Sequence, residues 1–481
     1  MSRRPRIKVV CTAVLGAATV VLAGCMPQTS APVRPAQEMP AQWPGMPAEG
    51  RPIEVTNWWT TFADESLDRL VDEAVTHNTD IASAVARIDE ARALLEQSEA
   101  ARKPVIDGGF QADRAQSSLR TANSMPGIPR QRNNYRLTVN ASYEIDLWDR
   151  LANASAAARS ELLAAEAARD TVRIAVAAQV ARSYFTLRAL DAEIEVTRRT
   201  LKTREQTIDL QRKRVDAGIL AGLDLRQIES ELAAVRSQLS PLEGARAREE
   251  AALALLLGRS PRAIMDATIQ TQGKLPLAQP VPVVPAGLPS DLLLRRPDIV
   301  EAERRLQAAN ARVAIARVAH FPSIALTGYL GLESAALSSL FGGPAGIWQA
   351  AAALAQPIYA GGRLQAQVDA ATARERQATL QYQGVIQSAF RDVRSALATQ
   401  AEARATYDAE NARVVALEDT VRLARLRYEG GLSSQLELLD AQRGLLAAQL
   451  NRHEALRAQY VAISDLMQAL GGGWAPLTTT P

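Results

Sequence analysis

Residues 296–332 read RPDIVEAERRLQAANARVAIARVAHFPSIALTGYLGL, and the stretch changes period in mid-course. Pro297 sits where a first helical turn has no use for an N–H, and helical spacing of apolar residues runs on to about residue 320. After Pro322, Ile324, Leu326, Leu330 and Leu332 fall on one parity, the mark of a strand. Sliding the stretch back by 218 positions lays it on NTDIASAVARIDEARALLEQSEAARKPVI, starting at Asn78, with nine identities in twenty-nine ungapped positions. Asp80/Asp298, Ala84/Ala302, Arg87/Arg305 and Pro104/Pro322 are among them, and the chain reads as a duplication.

Working outward, Trp58, Trp59 and Phe62 open a helical segment for which Asp64 is the expected N-cap. A helix from about Asp80 ends before Pro104, because the residue before a proline is pushed out of the helical region. A strand follows over about 104–116. The return strand, about 134–148, has the clearest alternation: Tyr135, Leu137, Val139, Ala141, Tyr143, Ile145 and Leu147 are separated by Arg136, Thr138, Asn140, Ser142, Glu144 and Asp146. From Arg150 to Val215 there is neither proline nor glycine, and Val180, Leu187, Ile194, Leu201, Ile208 and Val215 recur every seven residues. That is a narrow coiled-coil seam. Gly218 closes the helix as a left-handed C′ residue, and a return helix over 223–257 is expected to be interrupted at Pro241.

The second copy repeats this programme: strands at about 321–333 and 346–359, a long helix over 363–428 and a return helix over 434–470. Its seam is Ile386, Val393, Gln400, Tyr407, Val414, Val421 and Tyr428. Gly431 stands for Gly218, and Ser434 with Glu437 has the spacing of a capping box. At an offset of 213, Arg212/Arg425, Gly218/Gly431, Leu223/Leu436 and Leu232/Leu445 coincide. Of the 21 aromatic residues, about four should fall in the strand regions by chance; nine do, including Tyr135, Tyr143, Trp148, Phe321, Tyr329, Trp348 and Tyr359. Enrichment near strand ends is what the interfacial girdles of a membrane barrel require.

Arg3, Arg4, Arg6 and Lys8 precede a fifteen-residue apolar run, Val9–Ala23, and then Leu22-Ala23-Gly24-Cys25. This resembles the lipobox of bacterial lipoproteins, which implies removal of residues 1–24 and lipidation of Cys25; Met26 after it implies sorting to the outer membrane. Loss of that segment removes four of the 55 basic residues and leaves 51 against 52 acidic ones, with one cysteine. Near-neutral charge gives no support for nucleic-acid binding, and no disulfide or metal cage is suggested. Residues 25–62 form a proline-rich strap and the start of a central region. The first repeat is 63–270, a proline-rich linker 271–296, the second repeat 297–470 and a tail 471–481.

Four strands cannot close a barrel, and in hydrocarbon an open edge leaves backbone groups unpaired at several kcal/mol each. Strands embedded in a membrane therefore demand an oligomer; eight or twelve strands both satisfy the constraint. At this point LLLRRPDIVEAERRLQAANARVAIARVAHFPSIALTGYLG (292–331), NWWTTFADESLDRLVDEA (57–74), RYEGGLSSQLELLDAQR (427–443) and the lipobox together resemble the outer-membrane efflux factor family of TolC-like exit ducts, in its NodT-type lipoprotein branch. The resemblance covers essentially the whole chain after residue 24. It implies a mainly α fold with a membrane β-barrel: a homotrimer with a twelve-stranded β-barrel, four strands from each chain, and a helical coiled-coil barrel through the periplasm. It also implies passive conduction in a tripartite pump, fed by a periplasmic adaptor and an inner-membrane transporter of the resistance-nodulation-division class. No cofactor or catalysis is expected beyond the lipid on Cys25.

By the same resemblance, Gly218, Ile219, Leu220, Gly431, Leu432 and Ser433 meet the adaptor at the helix turns. Leu436, Asp440 and Arg443, with Leu223 and Asp224 of the first copy, close the periplasmic aperture. Leu436 would form an apolar ring and Asp440 an acidic one, and Arg443 would pair with a neighbour; the first copy has Gln227 in place of Asp440. The alternatives are a periplasmic coiled-coil structural lipoprotein and the same duct serving protein secretion. RRPD itself reads as a linker exit and helix start.

Overall fold

The computed structural model describes residues 57–118, 120, 129–219, 221–266, 269 and 296–472, with positions 38 and 40. Cys25, Leu220, most of the strap, linker residues 271–295 and tail residues 473–481 therefore lie outside the described residues. A 3-10 turn, Trp58–Phe62, leads into α1 (Glu65–His77) and α2 (Thr79–Ala100). Strands β1 (Val105–Gln116) and β2 (Gln131–Ile145) precede α3 (Arg150–Asp216), α4 (Gly222–Leu256) and the short α5 (Pro261–Met265). The second copy gives α6 (Pro297–Val318), β3 (Ser323–Ser334), β4 (Gly346–Ala355), α7 (Arg363–Glu429) and α8 (Gln435–Ala469).

The duplication holds to the residue. α6 and β3 begin and end 218 positions after α2 and β1, and α7 and α8 begin and end 213 positions after α3 and α4. The five positions lost lie between β3 and α7, where the second hairpin has a tighter connection and a shorter return strand. Two compact units cut across the copies: one takes Arg87–Ala165 and Ala302–Tyr382, the other the remaining described segments.

The first unit holds one antiparallel sheet in the order β1-β2-β3-β4. Its register puts Ile106 opposite Ala141, Phe110 opposite Leu137, Val139 opposite Leu330, and Leu330 opposite Trp348, so the apolar parity of all four strands forms one face. That face is open: Ile106, Val139, Leu330 and Leu354 are exposed, and Trp348 is 79% accessible. The other face carries Asp107, Arg136, Asn140, Glu144 and Glu333.

Three expectations change here. β2 ends at Ile145, before Leu147 and Trp148, because the Asp146 carboxylate turns away to accept the Leu151 and Ala152 amides at 3.0 and 2.7 Å and caps α3. β4 ends before Pro357, which has no N–H to give a ladder, so Ile358 and Tyr359 are not strand residues. Tyr329 is no girdle residue: it lies in mid-strand on the polar face, opposite Asn140. Trp148 and Phe321 do meet at the end of the sheet, ring centroids 5.0 Å apart, and the Trp148 indole donates to the Pro322 carbonyl at 2.8 Å.

The second unit holds the main core. Trp58, Trp59, Phe62, Leu67 and Val71 pack on Tyr184, Phe185 and Leu187 of α3 and on Leu456, Tyr460 and Ile463 of α8. The seam positions Val180, Leu187, Ile194, Ile208, Ile386, Val393 and Val414 are buried, as the seven-residue period requires. Pro241 does not interrupt α4, which runs through it; one lost backbone bond is absorbed by a helix of 35 residues.

Each copy ties its first helix to the end of its own return helix. The Asn78 side chain caps α2, accepting from Asp80 and Ile81, and donates to the Leu256 carbonyl at 2.9 Å. Its counterpart Arg296 donates to the Ala469 carbonyl at 2.9 Å, forks onto Asp298 at 3.0 and 2.6 Å, and reaches Asp392 at 3.5 Å. This is the structural work expected of RRPD.

Asp64 does more than cap. One carboxylate oxygen accepts the Ser66 and Leu67 amides; the other accepts the Tyr184 hydroxyl at 2.6 Å and Arg188 at 2.8 Å. Arg188 is only 4% accessible in its side chain, so Asp64 is the partner that makes its burial tolerable. Burial, then the bond to Asp64, pushes the Tyr184 phenol up, so it stays a donor. Asp64→Ala should lower the free energy of unfolding by about 3–5 kcal/mol, read as a denaturant midpoint in detergent, whereas Asp64→Asn should lose less.

Candidate functional site

The two helix turns are built alike because the backbone at one residue in each requires glycine. Gly218 has φ 72° and Gly431 φ 71°. In the first turn the Gly218 and Ile219 amides donate to Val215 and Arg214; in the second, Gly431 and Leu432 donate to Tyr428 and Arg427, at 2.8–3.0 Å throughout. These bonds use up the last carbonyls of α3 and α7 and fix the reversal. What they leave outside is apolar: Ile219 and Leu432 are each 75% accessible, and Leu223 and Leu436 stand exposed in the first turns of α4 and α8. Ser433 is half-buried, and its hydroxyl has no hydrogen-bond partner among the described residues.

The expected capping box is not formed. Ser434 is the N-cap of α8 without a side-chain bond, and Glu437 instead reaches back to Arg427 of α7 at 3.1 Å. The charge of Arg427 at the end of a long helix is a stronger partner for the carboxylate than a backbone amide. Asp224, half-buried in the first turn of α4, stands in the position equivalent to Glu437 rather than to Asp440. Leu436, Asp440 and Arg443 share a face of α8, and Arg443 lies 3.6 Å from Asp440.

The neighbour that Arg443 engages is Glu231 of α4, in the same chain. Glu231 also takes Arg204 of α3 at 3.0 Å, and Arg204 is 5% accessible in its side chain. One carboxylate therefore ties three helices from both copies, beside an apolar contact of Ile208, Ile228 and Leu439. The Glu231 carboxyl is held below the ordinary carboxylate range, first by Arg443, then by Arg204, against the cost of burial. In the second copy the positions equivalent to Arg204 and Glu231 are Leu417 and Gly444, and a methyl group added at Gly444 would lie 3.5 Å from the Leu417 side chain. An ion pair in one hairpin thus faces an uncharged leucine–glycine pair at the same level of the other. Sequence reasoning passed over Glu231 and Arg204, although the joint loss of both charges at the 213 offset was a signal for their pairing.

Among the described residues no group of acidic, His or Cys side chains has metal-binding geometry. His453 is buried between helices, and burial lowers its imidazole to about 4, so it stays neutral across the physiological range.

The sign of the Glu231 shift sets a pH dependence. A depressed carboxylate contributes stability above its unfolded value, about 4.3, that is lost as pH falls through the folded value. Exchange protection of α4 and α8 near the node should therefore weaken as pH drops below about 4. In Glu231→Gln the remaining acid response of that region should be visibly smaller, as read by hydrogen exchange.

Comparison with known proteins places these features. The description "Outer membrane efflux protein" belongs to the family that matches residues 70–259 and 288–472. The cation efflux system protein CusC of Escherichia coli is 34% identical over 452 residues, 92% of this chain and 94% of CusC. The antibiotic efflux pump outer membrane protein ArpC of Pseudomonas putida is 33% identical over 472 residues, covering 96% and 95%. Among solved structures, the Campylobacter jejuni CmeC outer membrane channel superposes with a TM-score of 0.86 at 25% identity, over 94% of this chain and 95% of that one. The repeats, the open apolar sheet face and the paired helical hairpins are thus those of a known transport fold, and the chain belongs to the outer membrane efflux protein family.

Proposed function

We propose that three copies of this chain form the passive exit duct of a tripartite efflux pump, through which drugs or other small molecules leave the cell. The observation that carries this reading is the sheet. It exposes one continuous apolar face, and β1 and β4 each have only one strand neighbour among the described residues. Twelve strands from three chains leave no free edge, put the apolar face against hydrocarbon and line the lumen with the polar face. The chain carries no catalytic step in this reading; transport energy comes from an inner-membrane transporter, of the resistance-nodulation-division class by resemblance.

The helix turns, with Ile219, Leu220, Leu432 and Ser433 about Gly218 and Gly431, are the proposed contact for a periplasmic adaptor. Exposed apolar side chains held on rigid glycine turns suit a partner that must find them repeatedly. Lipidation at Cys25 anchors the chain to the outer membrane. Leu436, Asp440, Leu223 and Asp224 lie toward the aperture, with Arg443 held on Glu231 as its lock.

Two outcomes test this. In planar bilayers, Asp440→Ala with Arg443→Ala should raise single-channel conductance several-fold; the wild-type value in the double variant would remove the aperture assignment. In a deletion strain, Ile219→Asp with Leu432→Asp should abolish drug resistance while heat-modifiable trimers persist in the outer membrane. Loss of the trimers together with resistance would count against a contact role for the turns.

A further inference from the structure

One cation on the polar face of the sheet has an environment that the duct alone does not call for. Arg136 stands in β2 opposite Gln111 of β1 and Glu333 of β3. Its guanidinium carbon nevertheless lies 4.5 Å from the ring centroid of Tyr329, whose own strand partners are Asn140 and Gln349. Between these rows lies the pair Thr138 and Gly331. The Arg136 side chain therefore runs along the sheet and over that pair to reach the ring.

Gly331 makes the crossing possible. A methyl group there would collide with the Leu137 carbonyl and crowd Thr138, so no side chain can stand in the path. Thr138, on a face otherwise lined with accessible polar groups, is only 8% accessible. A long cation lying flat over it accounts for that burial.

The guanidinium is positioned but not used up. Glu333, its nearest counter-charge, is 3.9 Å from Nε, too far for a hydrogen bond. Nε is buried and has no hydrogen-bond partner among the described residues. About a third of the side chain remains accessible. A guanidinium stacked on an aromatic ring keeps its planar fork of donors for a carboxylate, phosphate or sulfonate, and a stacked, weakly hydrated cation gives up little to bind one. Glu333 is placed as the resting counter-ion that such an anion would displace.

We propose that Arg136, braced on Tyr329 across Gly331 and loosely countered by Glu333, is a contact site on the duct wall for flat organic anions. This rests on the reading that the polar face lines the lumen. A contact of this kind is weak by design, since a conducting site must release what it binds. It favours the passage of aromatic carboxylates and sulfonates without setting a fixed gate.

The test uses the full-length lipoprotein in planar bilayers, with pyrenetetrasulfonate added to the barrel side as a flat, multivalent anionic blocker. The wild-type channel should be blocked reversibly. Arg136→Gln should raise the half-blocking concentration at least about fivefold, equivalent to roughly 1 kcal/mol. Arg136→Lys, which keeps the charge but loses the fork and the stacking, should fall in between. Glu333→Gln should lower the half-blocking concentration, and it keeps the question answerable if Arg136→Gln fails to assemble. Block unchanged in both Arg136→Gln and Glu333→Gln, or a conducting wild type that is not blocked at all, would overturn the assignment. A purely structural Arg136 would change trimer heat resistance with the wild-type blocking concentration retained, and that too overturns it. Wild-type protein that forms no channels would instead sink the duct reading itself, a result distinguishable from the others.

Discussion

A four-stranded sheet with an open apolar face and a single neighbour for each outer strand is unstable by itself in water. Both liabilities have the same origin. Backbone N–H and C=O groups at an edge need partners, and a face carrying Phe110, Val139, Leu330 and Trp348 needs something other than water against it. The membrane meets the second need, and in the proposed assembly further copies of the chain meet the first. The long helices are under no such constraint, since their backbone bonds close internally and their seams need only one another. The sheet, at 49 residues of 481, thus sets the demand for an apolar environment and for partner strands that everything else must accommodate.

How far the sequence discloses this varies with the kind of signal. Period-7 and period-2 patterns are global over an element, and they located the two longest helices and the strands of clear alternation; the return helices followed from the glycine turns, and β4, whose alanines resemble a helix, from the parity of the first copy. Gly218 and Gly431 were legible because a positive φ is a local demand met by one residue type. Strand ends were misjudged where a side chain changes allegiance, as Asp146 does in leaving the alternation to cap α3. The Ser434 and Glu437 pairing failed for a related reason: Arg427, brought alongside by the turn, outbids the backbone. Least legible was the Glu231 node, since which of several arginines a glutamate will meet depends on helix packing that no local pattern encodes.

The two copies show how a duplicated chain departs from symmetry. Their elements match to the residue, yet at one level the first hairpin holds Arg204 and Glu231 where the second holds Leu417 and Gly444. The first combination is specific and responsive to acid. The second carries no charge and is indifferent to pH. Arg443 then spends its charge on the other copy's glutamate. Divergence after duplication has turned two equivalent hairpins into one that supplies a fixed counter-charge and one that is held by it.

The glycine turns have a consequence for the order in which the chain organises. Each closes a pair of long helices that are consecutive in sequence, so these hairpins rely on local contacts and can form early and fast. The sheet is different: Ile145 and Ile324 are neighbours across β2 and β3, with all of α3 and α4 between them in the chain. That pairing must wait for a long loop to close, and loop closure is cheap only once the intervening chain is already condensed into helices. Early hairpins shorten the effective distance over which β2 and β3 must find each other. Gly218 and Gly431, by closing the hairpins, thus lower the cost of the long-range strand pairing that completes the sheet.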